Sequence, residues 1–97
     1  SMANNRQEIV GGDLRLLDEK GKAYGDSWKK RGGVGAFMML ARKWDRLEQQ
    51  VAQSPAYDIF AHGITDTRAE GILDDIQDLR CYLLLVEEEI RARQNNQ

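Results

Sequence analysis

Ninety-seven residues with a net charge of −2 make one domain by length, and they exclude a general nucleic-acid binder, whose electrostatic footprint is strongly basic. A chain this short buries only roughly 60 to 65 per cent of its unfolded surface by itself, so a partner subunit is expected to help. The apolar run Leu83 to Val86 falls far short of the roughly 20 residues that span a bilayer, and the single cysteine, Cys81, fits a reducing compartment, so a cytoplasmic location and no membrane partner are expected.

The charge is unevenly placed. Residues 1–50 carry ten Lys/Arg against seven Asp/Glu, and residues 51–97 carry four against nine. A basic half folded on an acidic half can bind its own complement, or can hold an anion with its counter-cation.

Helical periodicity dominates, and no sustained alternation of β-branched and aromatic residues is present. The expected fold is all-α, a helical bundle of about three main helices completed by dimerisation. Ser1-Met2 reads as a tag scar before an initiator methionine, so residues 1–12 are expected to be flexible, 13–93 to form the helical domain and 94–97 to fray. The first helix begins near Asp13, an N-cap after "GG", and carries Leu14, Leu17 and Tyr24 until Gly25 stops it. "YGDSWKKRGGVG" follows as irregular backbone.

The second helix runs from about Val34 to Ser54, where Pro55 ends it. Its stripe is Phe37, Leu40, Trp44, Leu47 and Val51. "PAYDIFAHGITD" is a connection with a short turn around Tyr57 to Ala61, and Thr67-x-x-Glu70 matches a capping box that opens the third helix. There, Ile72, Ile76, Leu79, Leu83, Val86 and Ile90 fall within about 80° of arc, on a helix of roughly 40 Å. Part of that stripe lies beyond the reach of the other helices, so it is expected to pack on a second copy across a two-fold axis.

Two places could carry chemistry. Glu48 falls inside the stripe of the second helix with Asp45 at its edge, while Asp75 and Asp78 flank the stripe of the third, with Tyr82 between them. Four ionised carboxylates converging there need a cation, and all-oxygen ligation suits Mg²⁺ or Mn²⁺. The alternative is an ion pair between Glu48 and an arginine or lysine across the helices, with Asp75 and Asp78 solvated. The second place is Lys29, Lys30 and Arg31 before Gly32-Gly33-x-Gly35, where amides and cations at a helix N-terminus suit phosphate. This is no Walker motif, and a solvated linker that caps the helix is the alternative.

His62 lacks the neighbours of a zinc site. Cys81, with no base beside it, reads as an inert thiol or a dimer contact. Of the aromatics, Trp44, Tyr24 and Tyr82 suit a core, and Trp28 is free to stack a base.

Tyr24-Gly25-Asp26-Ser27-Trp28, Lys43-Trp44-Asp45-Arg46 and the helix from Asp74 to Tyr82 resemble the motifs of the phage nucleotide-modification-associated domain, over roughly residues 20–86. The layout is more distantly similar to the MazG-like all-α nucleoside triphosphate pyrophosphatases. That resemblance implies a nucleotide-binding protein with Mg²⁺-dependent pyrophosphohydrolase activity. In it Asp45, Glu48, Asp75 and Asp78 would hold the metal, with Glu48 and Asp75 catalytic. Lys29, Lys30, Arg31 and Lys43 would meet phosphate charge, and Trp28 or Tyr24 the base. The chain departs from the enzymes in having Asp45-x-x-Glu48 in place of a Glu-Glu-x-x-Glu cluster. A reading of another class is a non-enzymatic helical dimer or adaptor protein of a phage or mobile element.

Overall fold

The computed structural model describes the backbone of residues 1–97 and all side chains except those of residues 22–24. It is 82% helical without a strand among the described residues. Four helices follow one another: α1 (Met2–Tyr24), α2 (Gly32–Val51), α3 (Ile59–Thr65) and α4 (Ile72–Asn95), with 3₁₀ turns at Ser27–Lys29 and Pro55–Tyr57. Among the described residues, no helix is long and apolar enough to cross a membrane.

The first helix starts well before Asp13. Ser1 caps it, its Oγ accepting from the Asn4 amide at 3.4 Å, and the helix continues through Gly11 and Gly12. Asp13 is therefore interior rather than an N-cap, and it is buried. Its carboxylate accepts from Arg80 Nε at 2.7 Å, Arg80 Nη2 at 2.8 Å and Gln77 Nε2 at 3.1 Å. A charged fork on another helix offers more than two neutral amides would, so the acid serves tertiary packing instead of a helix end. Gly25 does end α1, at a φ of 58° that favours glycine.

Helix α2 lies antiparallel to α4: Lys43 and Arg46 meet Asp78 and Asp75 in reversed order, and Ala36 lies at the level of Val86 and Ile90. Its buried positions are Ala36, Leu47 and Val51, with Leu40 and Lys43 half-buried. Leu47, Val51 and Ile72 form the core, joined by Ile59, Ile76 and Leu79. The inward face is thus rotated by roughly 40–50° from the expected stripe. Phe37 and Trp44 are 68% and 54% exposed, and Glu48, beside them on the wheel, is exposed too. The aromatics drew the expected stripe toward a side that nothing in this chain covers.

α2 ends at Val51, three residues short of the expected Ser54, and Pro55 opens a 3₁₀ turn. The connection is more ordered than a single turn. The Asp58 carboxylate accepts from the Phe60 and Ala61 amides, both at 3.0 Å, and starts α3.

The expected capping box is not formed, because Thr67 and Glu70 precede α4, whose N-cap is Gly71. Asp66 does that work from a distance: its Oδ2 accepts from the Ile72 amide at 2.7 Å. Arg68 holds the same carboxylate through Nε at 2.9 Å and Nη2 at 2.8 Å. The Arg68 bonds, and then the Ile72 amide, keep it far below the usual carboxylate range. A Cβ at Gly71 would stand 2.8 Å from Asp66 Oδ2, so only glycine fits the cap.

α4 lies between the other long helices. α2 covers one side of it, and α1 meets another through the Asp13–Arg80 pair and Lys20–Asp78.

Candidate functional site

A cleft of about 380 Å³ opens where α1, the segment after it and α4 meet. Leu17 and Lys20 form one wall, Asp26, Ser27 and Trp28 a second, and Asp78, Cys81, Tyr82 and Leu85 the floor. The backbone reversal at Gly25 brings Asp26–Trp28 back toward α4. The three- and four-residue spacing of Asp78, Cys81, Tyr82 and Leu85 puts them on one side of that helix.

Asp78 organises the charge. Lys20 Nζ stands 3.5 Å from its Oδ1 and Lys43 Nζ 3.3 Å from its Oδ2. Lys43 Nζ is also 5.4 Å from the centroid of the Tyr82 ring, a cation–π contact. Counting Asp26 on the second wall, the two lysines stand against two carboxylates, so the cleft is close to neutral and its cations are the groups an anion would have to draw off Asp78. Trp28 and Tyr82 add aromatic surface on which a planar ring can lie. Burial pushes the Cys81 thiol up, and the residue lies buried against α1 on the floor of the cleft rather than on the outer face of its helix.

The acids expected at a metal do not come together. Asp75 is buried at 4% exposure, with Arg46 Nε 3.1 Å from Oδ1. Its other oxygen, Oδ2, has no hydrogen-bond partner, and burial raises its carboxyl above the usual range despite Arg46 and Arg68. Asp78 is held by lysines. Asp45 and Glu48 are exposed. Among the described residues no group of three or more His, Cys, Asp or Glu is placed to hold a metal ion. The four acids therefore do not fit a divalent cation in this arrangement. The alternative fails as well: Glu48 faces outward with no ion pair among the described residues, and Asp75 and Asp78, expected to be solvated, are the acids that are paired.

The basic loop is likewise divided. Lys29 is spent on Glu89 and lies 5.9 Å from the Trp28 ring centroid. Lys30 and Arg31 are exposed. Gly32, Gly33 and Gly35 belong to α2 rather than to a loop. The Tyr24 side chain, expected at a base, lies outside the described residues. His62 is half-buried, with Nε2 3.7 Å from Asp66 Oδ2, away from the cleft.

Of the expected ligand-contacting residues, Trp28 lines the cleft, and Lys43 reaches it through Asp78 and Tyr82. The sequence does not mark Lys20, Asp26 or Ser27 as ligand contacts, and it favours a core position for Tyr82. The stretches Tyr24–Trp28 and Asp74–Tyr82 contain three of these four, but local sequence does not say which side chains face the cleft between α1 and α4.

A second, narrower groove of about 260 Å³ lies between the start of α2 and the end of α4, lined by Ala36, Phe37, Leu40, Val86 and Ile90 and rimmed by Lys29 and Glu89. No family model, curated protein or solved structure matches the chain.

Proposed function

We propose that the chain is a nucleotide-binding helical protein whose ligand sits in the cleft between α1, Asp26–Trp28 and α4. One observation carries this reading: Asp26–Trp28, Lys43 and Asp78–Tyr82, far apart in sequence, meet at one cleft. They are also the stretches that resemble the phage nucleotide-modification-associated domain. Lys20 and Lys43, held on Asp78, turn to the phosphate, and Trp28 and Tyr82 supply faces for the base. The cleft volume falls in the range of small-molecule sites. A nucleotide ligand agrees with the cytoplasmic location expected from the lone thiol.

Binding, rather than turnover, is the proposal. Mg²⁺-dependent pyrophosphate release is the finer form of the resemblance, and the dispersed acids lend it no support. The adaptor reading has its own supporting observation, the exposed Phe37 and Trp44.

Thermal shift against nucleoside mono-, di- and triphosphates, with and without Mg²⁺, tests the proposal. A ligand at a hundred times its Kd stabilises by about 2.7 kcal/mol. The expected result is a shift that persists without Mg²⁺, is lost in Lys43→Gln and survives in Glu48→Ala. If no nucleotide moves the transition, the reading fails. A shift that requires both Mg²⁺ and Glu48 would replace it with the metal-dependent enzyme.

A further inference from the structure

The side of the α2–α4 pair away from α1 has no cover. On α4, Ile76, Leu83 and Ile90 repeat every seven residues along one line, with Leu83 50% and Ile90 51% exposed. At 100° per residue, this line lies well over 90° from Asp78, Cys81 and Leu85, which face the cleft. On α2, Phe37 and Trp44 repeat at the same seven-residue spacing and are mostly exposed. Because the helices are antiparallel, both rows fall on one side of the pair, and Phe37 and Ile90 line the same apolar groove.

We propose that this face is covered by a second copy of the chain, packed antiparallel about a two-fold axis near Leu83. This inference is independent of the nucleotide reading.

Three observations select a second copy. First, the six residues Ile72, Ile76, Leu79, Leu83, Val86 and Ile90 alternate in steps of four and three, the register of a coiled-coil seam. Within the chain Ile72, Ile76 and Leu79 pack in the core with α2, while Leu83 stays 50% and Ile90 51% exposed.

Second, charge disfavours a parallel pairing. Arg80 is turned onto Asp13 of α1, but Glu87, with its side chain 65% accessible, and exposed Glu88 lie toward one end of the row. A parallel pairing brings the acids of both copies to the same end, and an antiparallel two-fold separates them. The same axis places the partner's Ile76 against Ile90, at the mouth of the groove.

Third, the area is right. Phe37, Trp44, Leu83 and Ile90, with Val34 at 79% exposure, present on the order of 500 Å², most of the about 800 Å² per partner of an ordinary stable interface. Half-buried Ala41 and Ile76 and the Glu87 stem extend it. The monomer is poorly filled by comparison, since no large described side chain falls below 2% exposure.

Light scattering after size exclusion, over a dilution series, is the direct test. The expected mass is that of a dimer, and Leu83→Arg is expected to give a monomer that keeps its helical circular dichroism. Cysteine pairing fixes the orientation, with oxidised glutathione as the oxidant. Leu83→Cys should cross-link to itself, and Ile76→Cys mixed with Ile90→Cys should cross-link to each other, while buried Cys81 stays out. A wild-type monomer at every concentration overturns the proposal. So does a Leu83→Arg dimer, or Ile90→Cys linking to itself, which would mean a parallel pairing.

Discussion

Replacing Asp13 by alanine removes the acid that joins α1 to α4. The carboxylate is buried and accepts from both arms of Arg80 and from Gln77. Hydrogen bonds to a charged group contribute about 1.5–3 kcal/mol net where neither partner regains water. Arg80 is 38% accessible and does regain it, so the whole set is worth about 2 kcal/mol. In a chain of this length that lowers Tm by about 8–16 °C. The decisive assay is a double-mutant cycle of Asp13→Ala and Arg80→Ala, followed by urea unfolding with circular dichroism. The expected coupling is about 1–2 kcal/mol. Its pH dependence has a definite sign. Arg80 above all, and then Gln77, hold the Asp13 carboxyl below its ordinary value, outweighing burial. The folded value thus lies under the unfolded one, so the contribution is complete above about pH 4 and fades as pH falls through the folded value. A coupling near zero at neutral pH, or one that grows in acid, would refute the account of how α1 is held.

Asp75→Asn should stabilise the protein by about 1 kcal/mol at neutral pH, because burial disfavours the ionised form more than Arg46 restores it. The folded carboxyl titrates above the unfolded one, so its contribution is present in acid and lost as pH rises through the folded value. Thermal unfolding at pH 4 and pH 7 checks this: the gain should appear only at the higher pH, and a loss at pH 7 would show that the Arg46 pair dominates. Gly25→Ala should cost about 1 kcal/mol in urea unfolding, from the left-handed φ alone. A Cβ there meets no atom within 4 Å, so an unchanged midpoint would mean the α1 terminus relaxes freely.

The helices themselves were legible because α2 and α4 keep their period over five or six turns, and Gly25 carries a conformation that glycine alone adopts cheaply. Their ends were not. Asp13 and Thr67 have the chemistry of caps, but capping competes with partners that local sequence does not reveal: Arg80 takes Asp13, and Asp66 reaches the Ile72 amide over six residues. The phase of α2 failed for a related reason. An apolar stripe marks surface that avoids water, without saying whether the cover comes from the same chain, and Phe37 and Trp44 widened the stripe toward the uncovered side. Glu48 was placed inside by that error alone. The cleft is half visible in the sequence, where Asp78 and Lys43 bear chemistry, but their pairing requires the antiparallel register of α2 on α4.

The way α1 is fastened has a consequence for access. None of its described side chains belongs to the Leu47–Val51–Ile72 cluster, and its named links to α4 are ion pairs and hydrogen bonds at Asp13 and Lys20. A segment held this way should come free in partial unfolding while α2, α3 and α4 stay assembled. Such an event would swing Leu17 and Lys20 off the cleft and leave Asp78 and Tyr82 behind. The amide protons of α1 would then exchange faster than those of α4, and an occupant of the cleft would slow them by keeping the wall shut.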